Sequence, residues 1–196
     1  MNRILLGLGS NRSFDSKSPL ELLNEACVAL QDVSGLSDMR FSSVYKTRAM
    51  YVENQDDFYN MAAVGFAENS LSPQKLLQKI HAIEALFGRD RKKEIRFGPR
   101  SLDIDIELFG NQKISTPELE IPHVRLKERA FVLVPALEIL DVSADKSIME
   151  EFSSVLTLLK EQSKDDGIEL FCTFERLSSH KTEQVQAVQN GNKSEF

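Results

Sequence analysis

Cysteine is scarce: Cys27 and Cys172 are the only two in 196 residues. They are too few and too far apart for a disulfide framework or a metal knuckle, and their apolar neighbours predict plain packing. Also missing is any run of ~18 consecutive apolar residues, the length a membrane span requires. The apolar start MNRILLGLGSN reaches a turn signal without a small-residue cleavage site. These absences argue against a stapled secreted domain, a zinc site and a membrane protein, and they predict a cytoplasmic one. Basic charge is in deficit too, with 24 Lys and Arg against 30 Asp and Glu and a net charge of −6. Coating a nucleic-acid backbone needs the opposite balance, so no nucleic-acid partner is expected. No internal repeat is visible.

What is present fits one soluble globular domain, or a domain with an appendage, at 41% hydrophobic and 28% charged. Such a chain buries a core without staples. Arg3 to Leu8 is predicted as a buried strand, with Gly7, Gly9, Ser10 and Asn11 marking its exit. Ser18-Pro19-Leu20-Glu21 supplies an N-cap, a proline at the first helical position and a capping-box glutamate. Leu23, Ala26, Cys27, Leu30 and Val33 follow at helical spacing up to Gly35. Met39 to Tyr45 and Asp57 to Phe66 alternate as strands. Ser72-Pro73 opens a second helix, whose apolar stripe through Ile83 and Phe87 ends at Gly88. Leu102 to Phe109, LDIDIELF, is a fourth strand with Gly110-Asn111 as its turn.

The resulting order is strand, helix, strand, strand, helix, strand. This is the split βαββαβ arrangement of ferredoxin-like α+β folds, with two helices on one face of a mainly antiparallel sheet. Pro122 and Pro135 are expected to limit any helix between them in the segment Ile121 to Leu140. Ser147 and Glu150 form a second capping box, predicted to launch a helix to about Leu159, and Ile168 to Phe174 resembles a late strand. Residues 1–177 are thus expected to form a single domain, with an extension over 141–177. The polar tail 178–196 is expected to be disordered.

The segment Arg89 to Arg100, RDRKKEIRFGPR, carries six basic residues and two acidic ones, so it is locally +4 and everything outside it sums to −10. Such a contrast suits a polyanionic ligand, although an isolated basic run is more often a solvated loop. Directly after it, Asp103 and Asp105 stand at i and i+2 on a strand and so share one face. Two like charges this close need a positive partner between them, and Mg²⁺ prefers carboxylate oxygen while leaving sites for phosphate oxygens. Asp-x-Asp also arises from simple polar-out alternation, and Glu107, on the same face, is accounted for by that alternation alone. Joined to an arginine-rich loop, however, the pair matches the needs of phosphoryl transfer.

These residues resemble a known family. Gly9-Ser10-Asn11, Tyr45-Lys46-Thr47, Asp57-Phe58-Tyr59-Asn60, Ile83-Glu84 with Gly88-Arg89, Gly98-Pro99-Arg100-Ser101-Leu102-Asp103-Ile104-Asp105, and Ile121-Pro122-His123 with Arg129-Ala130-Phe131 are similar to 6-hydroxymethyl-7,8-dihydropterin pyrophosphokinases. The likeness runs in order from about Ile4 to Leu140. It implies transfer of a pyrophosphoryl group from ATP to the hydroxymethyl oxygen of the pterin, leaving AMP, in folate biosynthesis. It further implies that Asp103 and Asp105 hold two Mg²⁺ ions and that Arg89 and Arg100 stabilise charge on the transferred group. Glu84, Arg91, His123 and Arg129 fall at the ATP side. The pterin is implied to lie between Phe58 and Phe131, read by Asn60 and the backbone near Thr47, under a cover that includes Phe97. Phe58 and Phe97 stand where tyrosine and tryptophan are frequent in the family, and Arg48-Ala49 where prolines are.

Other functions fit less well. A two-metal nucleotidyltransferase keeps its Gly-Ser close before its aspartates, whereas Gly9-Ser10 lies most of a domain away from Asp103. An RNA-recognition module needs exposed aromatics on central strands and a basic balance. A small-molecule regulatory domain leaves Asp103, Asp105 and the arginines without a purpose.

Overall fold

The computed structural model describes residues 1–48, 55–90, 98–162 and 167–179. Strand β1 (Asn2–Ser10) is apolar along its length because both of its faces are covered. Ile4, Leu6 and Leu8 point to one side and Leu5 to the other, as the two-residue period of a strand requires. Helix α1 (Pro19–Gln31) begins at the predicted capping box: Glu21 N–H donates to Ser18 Oγ at 3.3 Å and Ser18 N–H donates to the Glu21 carboxylate at 2.7 Å.

The strand expected over Met39 to Tyr45 is two, β2 (Leu36–Phe41) and β3 (Val44–Thr47), both antiparallel to β4 (Phe58–Ala67). The break falls at Ser42-Ser43. There Ser42 Oγ accepts from Ala62 N–H at 2.9 Å, taking the place of a ladder carbonyl, and the Ser43 N–H turns away to Glu138 at 3.0 Å. Helix α2 (Pro73–Leu86) ends where Gly88 takes φ +83°, a position at which a side chain would also collide with the ring of Phe14. Strand β5 (Asp103–Phe109) returns antiparallel to β1.

The main sheet has the order β5-β1-β4-β3-β8, where β8 is the late strand Glu169–Cys172, with β2 also on β4, and every strand pair in it is antiparallel. This is the expected ferredoxin-like core. On one face α1 and α2 bury Leu23, Leu30, Leu76 and Ile80 against Ile4, Leu6 and Leu8. The opposite face is covered as well. Helices α3 (Ala130–Ile139) and α4 (Lys146–Glu161) bury Leu133, Ala136, Phe152 and Leu156 against Leu5, Ala62 and Val64. A short hairpin, β6 (Ile114–Ser115) with β7 (Glu120–Ile121), and a 3-10 turn at Leu126–Glu128 link β5 to α3.

Two expectations for this second layer are corrected. Pro135 does not bound a helix but sits inside α3. A proline there forfeits one backbone hydrogen bond, and the close burial of Val132, Leu133 and Ala136 offsets that loss. The Ser147 capping box does not form, because α4 starts two residues earlier with Asp145 as its N-cap. Asp145 makes no side-chain cap because its carboxylate accepts from Arg3 Nη2 at 2.7 Å and from Asp141 N–H at 2.9 Å. The extension adds an edge strand as well as a packing helix: β8 (Glu169–Cys172) pairs with β3, and Phe174 stacks on Phe41 with ring centroids 5.2 Å apart. Residues 174–179 are helical, and residues 180–196 of the polar tail lie outside the described residues. Both cysteines are free and buried.

Candidate active site

A cleft opens on the α3 face of the sheet where β1 runs out of bulk. Along that face β1 presents Leu5, then Gly7, then Gly9. In the ladder Gly9 lies between Asn60 of β4 and Asp103 of β5, and Gly7 between Ala62 and Asp105. The space left by the two glycines is used by neighbouring side chains. A Cβ on Gly9 would stand 3.0 Å from Asn60 Oδ1, and one on Gly7 would stand 3.0 Å from Glu107 Oε1. The cleft encloses about 140 Å³, a volume on the scale of cavities that accept a single aromatic ring.

One wall carries the phosphate-type chemistry. Arg89 Nη1 donates to Asp103 Oδ1 and Arg100 Nη1 to Asp103 Oδ2, so this carboxylate is clamped from both sides. Burial works to raise its pKa, but the charges of Arg100 and Arg89 outweigh it and hold Asp103 below the usual carboxylate range. Arg89 is seated from behind by Glu84, a buried residue of α2 whose Oε1 also accepts from Ile104 N–H at 2.9 Å. Glu84, which the resemblance groups with the ATP contacts, is thus placed beneath Arg89 rather than facing the cleft. Arg129 Nη1 donates to Asp105 Oδ2 at 2.7 Å. His123 sits beside this pair, with Nε2 3.9 Å from Asp105 Oδ2. Its Nδ1 accepts from Arg125 N–H at 3.2 Å, which puts the proton of the neutral ring on Nε2. Burial, against the pull of Asp105, lowers the pKa of His123.

Glu107 overturns its sequence expectation. It does not continue an outward alternation but is fully buried. The β1–β5 register slips between Leu5 and Leu6, leaving Glu107 as the extra residue of a β-bulge whose carbonyl accepts from His123 N–H at 3.0 Å. Burial first, and then the charge of Asp105, push its carboxyl pKa up to about 8 against the pull of Arg129. A bulge leaves no mark in an alternating stretch, so LDIDIELF carried no sign of it.

The other wall is mostly apolar. Phe58 and Phe131 both line it, and Asn60 Nδ2 donates to Thr47 Oγ1 at 2.8 Å, leaving Asn60 Oδ1 toward Gly9. The Arg129 guanidinium stands 5.6 Å from the Phe131 ring centroid, joining the two walls. Arg91 and Phe97 lie outside the described residues.

The Gly9-Ser10-Asn11 motif serves as a clamp. Ser10 Oγ donates to Ser101 O at 2.6 Å, Asn11 Oδ1 accepts from Arg100 N–H at 2.7 Å, and Asn11 Nδ2 donates to Asp56 O at 3.0 Å. It ties the Gly98-Pro99-Arg100 loop to the start of β4, and so brings the arginine wall against the aromatic wall. Arg48, Gln55 and Arg125 also line the cleft. Of these Arg125 had no signal in the sequence beyond its charge.

The carboxylate set suits a hard divalent cation that is shared with substrate. Among the described residues no cluster of three or more His, Cys, Asp or Glu side chains is arranged to hold a metal ion by itself. Mg²⁺ needs no such cage, because one or two carboxylates plus substrate phosphate oxygens and water complete its shell. Asp103 and Asp105, on one face and surrounded by cationic side chains, provide that number.

The family model for 7,8-dihydro-6-hydroxymethylpterin-pyrophosphokinase matches residues 5–141, which contain both walls of the cleft. The chain belongs to this family. Its relatives include 2-amino-4-hydroxy-6-hydroxymethyldihydropteridine pyrophosphokinases from Haemophilus influenzae, 40% identical over 134 residues, and Bacillus subtilis, 39% identical over 140 residues. These alignments cover 68% and 71% of this chain and 79% of each relative. A mitochondrial folate synthesis bifunctional protein of Arabidopsis thaliana is 34% identical over 157 residues, but the match spans 79% of this chain and only 26% of that longer protein. The fold is shared with Plasmodium falciparum HPPK-DHPS, with a TM-score of 0.57 at 15% identity, over 84% of this chain and 46% of the other. Family membership thus rests on residues 5–141, while the fold likeness reaches further along the chain. Among the described residues no helix is long and apolar enough to cross a membrane.

Proposed function

We propose that the cleft binds ATP and 6-hydroxymethyl-7,8-dihydropterin side by side and carries out the reaction of its family, pyrophosphoryl transfer with release of AMP in folate synthesis. The observation that carries this is the junction of the two walls: Asp103 clamped between Arg89 and Arg100, next to a slot lined by Phe58, Asn60 and Phe131. The hydroxymethyl oxygen forms a bond to the β-phosphorus and releases its proton to solvent. The bond from that phosphorus to the oxygen bridging toward the α-phosphate breaks, and AMP leaves with the electron pair. Negative charge develops on both sides of the β-phosphorus, and cationic groups fixed in advance around it stabilise that charge without reorganising.

Asp103 and Asp105 would hold two Mg²⁺ ions, which when bound neutralise phosphate charge and hold the hydroxyl and the triphosphate together. Arg89 and Arg100 face the transferred group, with Arg89 kept in place by Glu84. Arg129 and His123 stand beside Asp105 on the side assigned to ATP, and Arg91, outside the described residues, is proposed as a further ATP contact. Stacking between Phe58 and Phe131 supplies affinity for a flat bicycle, and Asn60, oriented by Thr47, supplies a polar contact to its edge. Phe97 is proposed as part of the cover. No protein nucleophile is needed.

The test is AMP release by the purified protein with ATP and Mg²⁺. AMP should form only when the pterin is added, and Asp103→Asn should abolish its formation while leaving the circular dichroism spectrum unchanged. AMP formation independent of the pterin, or near-normal turnover by Asp103→Asn, would refute the assignment.

A further inference from the structure

Glu107 has no task in the reaction just described, yet it occupies the cleft wall two positions beyond Asp105 with its side chain fully buried. Arg129 Nη1 is shared unequally between the two acids, at 2.7 Å from Asp105 Oδ2 and 3.4 Å from Glu107 Oε1. Among the described residues the other oxygen, Glu107 Oε2, is buried without a hydrogen-bond partner. His123 also stands near it, with Nδ1 3.8 Å away, but that nitrogen is already an acceptor for Arg125 N–H.

This arrangement conflicts with the work assigned to Asp105. Asp105 Oδ2 accepts the Arg129 N–H at 2.7 Å, and a divalent cation held by Asp105 would bring a second positive charge to the same carboxylate, as it would at Asp103 between Arg89 and Arg100. The cation would weaken the hold of Asp105 on Arg129, which then needs another partner to stay on the wall on which it meets the triphosphate. We propose that Glu107 is a positioning residue, the second seat that receives Arg129 when Asp105 turns to the metal.

The seat is close, since its Oε1 is already within 3.4 Å of the same nitrogen. It is also half empty. A small shift of the guanidinium toward Glu107 engages the orphaned Oε2 in a paired, two-oxygen contact as the carboxyl gives up its proton to solvent, the geometry in which arginine binds a carboxylate best. The bulge turns Glu107 under the cleft, and Gly7 leaves its carboxyl the room, because a Cβ there would stand 3.0 Å from Oε1. The inference rests on the proposed function and adds to it a two-position arginine.

The experiment is calorimetric titration of Mg²⁺ with the α,β-methylene analogue of ATP, which cannot undergo the transfer. Glu107→Leu should weaken binding by about tenfold and Glu107→Gln, which keeps one acceptor oxygen, by about threefold. In an Arg129→Met background, which has no guanidinium to seat, neither change should weaken binding further, since groups acting through one contact are non-additive. In steady state the KM for ATP should rise while that for the pterin is unchanged. A merely structural role predicts the same loss in both backgrounds, and that result would overturn the proposal. Should leucine disturb folding, Glu107→Gln in the two backgrounds decides alone. Binding by the wild type that Glu107→Leu and Glu107→Gln leave intact refutes the second seat and spares the function. Absence of any binding by the wild type refutes both.

Discussion

Replacing Glu107 with glutamine keeps the shape of a buried carboxyl but removes its proton equilibrium, and the consequence can be worked out from the cleft. In the folded, ligand-free protein, burial and the neighbouring Asp105 push the Glu107 pKa from the ordinary 4.5 to about 8. An unfolded chain releases this proton near the ordinary value, whereas the folded chain holds it until about pH 8. Between those values the folded state binds more protons than the unfolded one, so stability falls as pH rises. The slope approaches about 1.4 kcal/mol per pH unit, and from about pH 5 to about pH 7.5 it accumulates to on the order of 3 kcal/mol. A glutamine at this position cannot titrate and loses nothing over that range, while the other titrating groups are common to both proteins and cancel in the difference. Urea unfolding of both proteins across this range, without ligands, should give similar stabilities near pH 5 and a widening advantage for Glu107→Gln toward pH 7.5. Parallel stability profiles would refute the burial argument.

Three further outcomes follow from the same geometry. Gly9→Ala should raise the pterin Kd by tenfold or more, measured by pterin fluorescence, because the new Cβ stands 3.0 Å from Asn60 Oδ1; nucleotide binding should be largely unaffected. Glu84→Gln should destabilise the fold by about 3–5 kcal/mol in urea titrations and cut turnover at least a hundredfold, since it removes the charge that seats the buried Arg89. Asp145→Ala, at the far end of β1, should cost about 2–3 kcal/mol by unpairing Arg3 and the Asp141 N–H, with kcat unchanged.

The features that could be read from sequence are those set by neighbours along the chain. The Ser18 capping box, the glycine stop at Gly88 and the shared face of Asp103 and Asp105 each follow from local geometry, and each is present. The expectations that changed were decided by distant partners. Ser42-Ser43 interrupts a strand because Glu138, 95 positions away, takes the Ser43 N–H. The Ser147 capping box yields to Asp145 at the start of α4, and the Asp145 carboxylate is drawn to Arg3, 142 positions away. Pro135 is tolerated in α3 because the helix is buried against Ala62 and Val64. Glu107 was read as an exposed alternating residue because a bulge is a property of strand pairing, invisible in one strand. Asn11, quoted for its motif, ties the Arg100 backbone to that of Asp56, 45 positions away from Asn11, and so joins the two walls.

Transfer of an intact two-phosphate unit from ATP to the pterin at the Asp103–Arg100 wall can be followed by supplying ATP labelled at the β-phosphate, with Mg²⁺ and 6-hydroxymethyl-7,8-dihydropterin, and separating the products. The label should appear on the pterin, in equal amount to the AMP released. Label recovered in ADP or in inorganic phosphate, with none on the pterin, would contradict that transfer.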